Sequence, residues 1–165
     1  MPSLRSNAAL GVGRTFPRVK SGYARCAMGS GAAPTRMREG LLDTTFFIDL
    51  LRGDTGAVSI WRDIVSGDFV AHYSPVTVTE LWMGRFSTFQ EEQVLRGALQ
   101  LMNEIPLTSS IAELAGASLR ELPADRLRHL MSDALIASSA LHEHLSLYTR
   151  NQRDMEHFAG GMRRY

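Results

Sequence analysis

The sequence predicts an α/β fold of three layers (α/β/α), in which helices cover both faces of a central, mostly parallel sheet of four or five strands. Two observations support this class. Short apolar runs of strand length alternate with longer segments whose apolar residues recur at helical spacing, as in βαβ units. The chain of 165 residues is 44% hydrophobic, which is enough for one well-buried core.

The first half of the chain begins with a strand that ends at Leu42. Thr44 or Thr45 is expected to cap the following helix, and Gly53 suits its end. Residues 57–65 then predict a second, short helix.

A second strand is predicted at residues 69–73. Ser74 and Pro75 are a typical N-cap and first-turn pair, so a helix should follow and continue through Met83 to a stop at Gly84.

The second half of the chain continues the alternation. Residues 90–103 are helical by period, residues 105–107 form a short extended piece, and Ser109 or Ser110 opens a helix to about residue 122. Ser132 is expected to cap a helix that begins at Asp133, and a compact strand follows at residues 145–149. The residues of that helix expected to face the interior are Leu135, Ile136, Ala140 and Leu141.

Basic residues are concentrated before residue 39. Residues 1–38 carry seven Lys or Arg and no acid, a charge of +7, and show no sustained period. They are predicted to be a disordered basic N-terminal extension; an acid-free start is also compatible with a transit peptide or a nonspecific RNA contact. Residues 39–165 carry the other 11 basic and all 17 acidic residues, a charge of −6, and form the predicted folded domain.

The composition excludes several classes of protein. A single cysteine, Cys26, permits no intrachain disulfide, and no apolar run approaches the ~18–20 residues that span a bilayer. A cytoplasmic protein without a membrane segment is therefore expected. The acidic domain favours a cation site or a basic protein partner over a broad phosphate-binding surface.

Four acids are expected to meet at one edge of the sheet. Asp43 and Asp154 follow the first and last clear strands, where ligands bind in parallel sheets. Asp133 opens a helix, and Glu80 follows the second strand by about two helical turns. Each acid taken alone has a structural explanation, as a helix cap, a solvated helix residue or a loop acid, so the argument depends on their joint placement.

Ionised carboxylates held together repel one another and must bind protons or share cations. Mg²⁺ and Mn²⁺ prefer oxygen ligands and suit a carboxylate cluster that lacks Cys and His. Such cations can activate water and stabilise the leaving oxygen of a phosphodiester.

Four segments carry these acids and resemble, in the same order, the motifs of PIN domains, particularly the VapC-like toxins. They are LDTTFFIDLLRG at 42–53, SPVTVTEL at 74–81, SDALIA at 132–137 and LYTRNQRD at 147–154. Each motif is weak by itself, but the four together cover about residues 41–158.

The resemblance implies a PIN-like α/β/α fold at residues 39–165, RNA cleavage dependent on Mg²⁺ or Mn²⁺, a toxin neutralised by a cognate antitoxin, and a homodimer formed through helices of the early half. It assigns the catalytic and metal-binding roles to Asp43, Glu80, Asp133 and Asp154. Thr149 and Asn151 match the polar residues that support the site, whereas Asp49 is interpreted as structural or peripheral.

The chain departs from the family pattern at two positions. Thr45 stands where Asn is usual, which alters the hydrogen bond that orients Asp43, and Met155 stands where an aromatic residue commonly follows the last acid. The last edge strand must be short and near residues 162–165. Phosphate positioning and solvated surface charge are equally open for three arginines, Arg85, Arg150 and Arg153.

The predicted function is that of an endoribonuclease toxin. An antitoxin segment bearing Arg or Lys is expected to reach the acidic pocket and compete with metal and RNA. Two alternatives stand beside this prediction: a noncatalytic module of the same fold that binds protein or RNA, and a PIN nuclease that acts on DNA or on RNA outside any toxin system.

Overall fold

The computed structural model describes residues 37–84, 88–123, 126–127, 129–158 and 162–165. Its elements are β1 (Arg38–Leu42), α1 (Thr44–Leu51), α2 (Thr55–Ser66), β2 (Phe69–Tyr73), α3 (Pro75–Met83), α4 (Phe89–Gln100), β3 (Asn103–Glu104), α5 (Ser109–Arg120), α6 (Met131–His142), β4 (Ser146–Tyr148), α7 (Gln152–Met155) and β5 (Met162–Arg163). The proposed extension lies outside these residues up to position 36, so its disorder stays a prediction. None of the described helices is long and apolar enough to cross a bilayer.

The five strands form one sheet in the order β3-β2-β1-β4-β5. Every neighbouring pair is parallel, and β1 lies at the centre, where Leu41 pairs with His72 on one side and Leu147 on the other. The carboxyl ends of all the strands therefore meet at the same edge. The short last strand predicted near residues 162–165 is present as β5.

Two apolar clusters cover the two faces of this sheet. Because successive side chains on a strand point to opposite faces, Leu42 packs against the helices α1 to α4, whereas Leu41 packs against α5 to α7. Both leucines are completely buried. The predicted three-layer architecture is confirmed.

Local signals account for the ends of several helices. The Ser74 hydroxyl accepts the Val76 N–H at 3.3 Å and Pro75 opens α3, while Gly84 is its C-cap, as predicted. Gly67 ends α2 in the left-handed conformation at φ 83°, which favours glycine. At α1 the N-cap residue is Asp43, so the prediction that Thr44 or Thr45 caps this helix is wrong.

The predicted start of α6 is also wrong. The helix begins at Met131, with Leu130 as the N-cap residue, and Ser132 lies inside it. The Leu130 carbonyl already accepts the Ala134 N–H at 2.9 Å, which sets the first turn earlier. Leu141 is expected to face the interior, but it is 46% exposed. Successive residues of an α-helix point in different directions, so the residue after the buried Ala140 faces away from the core.

The third strand lies two residues earlier than predicted. Asn103 and Glu104 pair with His72 and Tyr73, and the Ile105 N–H donates to the Tyr73 carbonyl at 2.9 Å. Pro106 has no N–H to continue this pairing. The position of β3 is therefore decided by its neighbour β2.

Candidate active site

Asp43 lies immediately beyond β1 and is 3% exposed. Its backbone N–H donates to the Tyr148 carbonyl at 3.0 Å, which ties the ends of β1 and β4 together. Its carboxylate makes no capping hydrogen bond to α1. Instead, one oxygen, Oδ2, accepts the hydroxyls of Thr149 at 2.7 Å and Thr45 at 3.0 Å.

The two threonine hydroxyls are oriented by backbone donors. Thr149 Oγ1 accepts the Asn151 N–H at 2.9 Å, and Thr45 Oγ1 accepts the Arg150 N–H at 3.1 Å. A hydroxyl has a single proton, so each threonine can accept from the backbone while it donates to Asp43. Thr45 thus supplies a hydrogen bond to Asp43 where the family usually has Asn, and Asn151 takes part through its backbone N–H.

Glu80 lies on α3 and is half-buried. Its Oε2 accepts a short hydrogen bond from the Thr44 hydroxyl, and Thr44 directly follows Asp43. Sequence reasoning treated Thr44 only as a possible helix cap. The sequence signal that could have indicated a role for Thr44 in the site is its position directly after the first acid, Asp43.

Asp133 lies in the first turn of α6, and Asp154 lies exposed on α7. Burial raises the pKa of Asp133 to about 7, and the charges of Asp43, Glu80 and Asp154 contribute to this rise. The negative charges of these three side chains therefore act on Asp133 through space. Glu80 accepts the hydroxyl of Thr44, which directly follows Asp43, and Asp133 is coupled electrostatically to Asp43, Glu80 and Asp154. That the four acids form one site stays a prediction.

Burial also raises the pKa of Asp43. The hydrogen bonds from Thr149, Thr45 and the Thr44 backbone act in the opposite direction, and the charge of Glu80 adds to the rise. Asp43 is therefore held by hydroxyl and amide donors, and no cation of the described residues is among the groups that shift its pKa or that of Asp133.

The donor set matches one class of metal ion. Within the described ranges, no three His, Cys, Asp or Glu side chains are spaced as a formed metal site. The four predicted ligands are nevertheless all carboxylates, whose oxygens are the donors that hard cations prefer. The residues fit Mg²⁺ or Mn²⁺ better than a metal that prefers sulfur or imidazole ligands.

A second polar cluster lies beside the first. The buried Asp49 carboxylate contacts Arg150 Nε at 2.9 Å and accepts the Tyr165 hydroxyl at 2.7 Å, and Arg150 Nη2 donates to Asp54 at 2.7 Å. This geometry agrees with the structural interpretation of Asp49. Arg150 is engaged by carboxylates of its own chain. Of the other two arginines, Arg153 is exposed on α7 and Arg85 lies outside the described residues.

The fold is a three-layer α/β domain with a buried aspartate, Asp43, directly after its central strand. The PIN domain family model matches residues 40–161, so the chain belongs to the PIN-domain family. A comparison with curated protein sequences finds no significant match.

Solved structures that resemble the chain come from toxin–antitoxin complexes. A toxin–antitoxin complex from Klebsiella pneumoniae matches with a TM-score of 0.55 and 29% identity, over 70% of this chain and 88% of that one. VapBC2 from Rickettsia felis, bound to a DNA fragment from its promoter, matches with a TM-score of 0.59 and 17% identity, over 77% and 98%. FitAcB from Neisseria gonorrhoeae matches with a TM-score of 0.53 and 23% identity, over 72% and 94%.

Proposed function

We propose that this chain is a metal-dependent endoribonuclease and the toxin of a VapBC-like toxin–antitoxin pair. The proposal is supported by the match to the PIN domain family and by the rise in the pKa of Asp133, to which the like negative charges of Asp43, Glu80 and Asp154 contribute. Substrates and metal ligands approach parallel sheets at the carboxyl ends of the strands.

The residues divide the work of such a site. Asp43, Glu80, Asp133 and Asp154 would hold Mg²⁺ or Mn²⁺, and Thr149 and Thr45 orient the Asp43 carboxylate through their hydroxyls. A bound divalent cation supplies an activated water and neutralises charge on the phosphodiester. An enzyme that hydrolyses cellular RNA would act in the cytoplasm.

The partner proposal follows from charge and from the solved relatives. Residues 39–165 carry a charge of −6, and the four acids proposed as metal ligands would attract a basic antitoxin segment. The similar structures from Klebsiella, Rickettsia and Neisseria support an antitoxin as the partner. If that segment binds in the pocket, a Glu80→Gln and Asp133→Asn double variant should lose affinity for it, and high salt should weaken the wild-type complex.

A homodimer is proposed through helices of the early half of the chain. Large apolar side chains on and beside α3 and α4 are exposed, with Met83 at 79%, Phe89 at 76% and Val94 at 48%. Sedimentation of the full chain should show a dimer, and a monomer at high concentration would contradict this.

The test of the nuclease proposal uses the purified full chain with single-stranded RNA, hairpin RNA and DNA. Cleavage of RNA should require Mg²⁺ or Mn²⁺, stop with EDTA and be lost in Asp133→Asn. Asp68→Asn is the matched control, because Asp68 precedes β2 and lies at the opposite edge of the sheet. RNA that is bound but uncut under every condition would support a noncatalytic module, and cleavage of DNA alone would indicate a different nuclease.

A further inference from the structure

Arg150 joins three parts of the domain through its side chain. Its guanidinium contacts Asp49 on α1 at 2.9 Å and Asp54, the N-cap of α2, at 2.7 Å. The Asp49 side chain is 5% exposed, and a carboxylate buried to this extent needs a hydrogen-bonded partner of opposite charge. The segment after β4 is therefore attached to α1 and α2 by charge-assisted hydrogen bonds.

Tyr165 completes the same attachment. Its hydroxyl donates to Asp49 at 2.7 Å, and its ring packs edge-on against Phe46 at 5.6 Å between centroids. Its backbone passes so close to α2 that a Cβ at Gly56 would lie 2.8 Å from the Tyr165 carbonyl carbon. Asp49 is thus held from two sides by residues more than a hundred positions later in the chain.

The backbone of the same segment reaches the first acid of the candidate active site. The N–H groups of residues 150 and 151 orient the hydroxyls of Thr45 and Thr149, and both hydroxyls donate to Asp43 Oδ2. Any shift of Arg150 would move these two amides and release the hydroxyls from their orientation.

We propose that Arg150 is a positioning residue, whose ion pairs with Asp49 and Asp54 hold residues 149–151 so that two hydroxyls present the Asp43 carboxylate in one orientation. The effect that we expect this positioning to have on metal affinity rests on the proposed nuclease function. Partners of metal ligands typically change metal affinity by about 10- to 100-fold when they are lost.

The experiment compares the full chain with Arg150→Met and Asp49→Asn by two measurements, Mn²⁺ titration calorimetry and NMR amide hydrogen exchange. Both variants should bind Mn²⁺ about 10- to 100-fold more weakly. In both, the amides of residues 150 and 151 should exchange faster, by at least about tenfold. Arg96→Met is the matched control, since it also breaks an arginine ion pair, with Glu92 on α4, and should change neither quantity.

Two further variants test whether the pair acts as a unit. Arg150→Lys retains the charge and should restore part of the Mn²⁺ affinity. The double variant Asp49→Asn and Arg150→Met should bind Mn²⁺ as tightly as the single variant with the lower affinity. The effects of two substitutions that remove the same contact are not additive. Additive losses would contradict the shared contact.

Unchanged exchange at residues 150 and 151 in a folded Arg150→Met variant would overturn the proposal. So would weaker RNA binding with a smaller salt dependence but normal Mn²⁺ affinity and exchange, which is the signature of a phosphate contact. A wild-type chain that binds no Mn²⁺ would overturn the nuclease proposal instead, and the exchange measurement would still decide the positioning role.

Discussion

Asp43 and Asp49 lie six residues apart, and each is 3% exposed, yet their surroundings differ in kind. Asp43 accepts hydrogen bonds from the hydroxyls of Thr149 and Thr45. Asp49 contacts the guanidinium of Arg150 and the hydroxyl of Tyr165. One buried carboxylate is oriented by neutral donors, and the other is neutralised by a cation.

This difference separates a candidate ligand from a structural acid. Neutral donors hold a carboxylate in place without cancelling its charge, so burial still raises the pKa of Asp43. Asp49 already has its counter-ion within the chain. Asp43 therefore keeps a negative charge that Glu80 reinforces, and a cation bound there would stabilise the domain.

The largest expected effect comes from exchanging the two carboxylates for amides. Asp43→Asn should lower RNA cleavage by about a hundredfold or more, because it removes a charged cation ligand. Asp49→Asn should lower it by about tenfold, because it acts only through Arg150. Initial rates at one Mn²⁺ concentration, chosen below saturation of the wild type, measure both, and equal losses in the two variants would show that the distinction is wrong.

Removal of a hydroxyl should have the next largest effect. Thr149→Val retains the shape of the buried side chain but loses the donor to Asp43, so Mn²⁺ affinity should fall by about 10- to 100-fold. Thr149→Ser keeps the donor and is the control. Calorimetric titration measures the Mn²⁺ affinity of the three proteins. If Thr149→Val binds Mn²⁺ as tightly as wild type, the Thr149 hydroxyl has no role in the site.

The acidic edge should also destabilise the metal-free domain as the pH rises. The folded state holds the pKa of Asp133 at about 7, against 3.8 for the free side chain, so the folded state binds more protons between these values. Its stability consequently declines as the pH increases through this window. In EDTA the Tm of wild type relative to that of Asp133→Asn should fall by about 5 °C from pH 5 to pH 7.5. If the difference in Tm between the two proteins does not change with pH, the ionisation of Asp133 does not destabilise the domain.

The smallest expected effect concerns the neutralised cluster. Tyr165→Phe removes one hydrogen bond to Asp49 and should lower the free energy of unfolding by about 1 kcal/mol. Urea denaturation of the full chain measures this change. The same substitution made in the Asp49→Asn background should cost less, because its charged acceptor is gone. An undiminished cost there would mean that the hydroxyl stabilises through another partner.

Elements with local signals could be predicted from the sequence closely. The strand Phe69–Tyr73 and the stop at Gly84 were placed at their observed positions, because apolar runs, capping hydroxyls and glycine act through neighbouring residues. The start of α6 and the position of β3 were misplaced. The position of β3 depends on its pairing with His72 and Tyr73, which lie about thirty residues earlier. The start of α6 is set by backbone hydrogen bonds around Leu130, which no capping side chain marks.

The sequence by itself determined the alternation of strands and helices and the four acids at the ends of those elements, because period and composition are local properties. Only the tertiary structure decided which acid has a counter-ion within the chain and which does not. Arg150 and Tyr165 lie 101 and 116 positions beyond Asp49, and pairing β1 with β4 and β5 with β4 brings them to it. The ion-pair partner of a carboxylate is determined by its neighbours in space, and the spacing of residues along the chain does not reveal it.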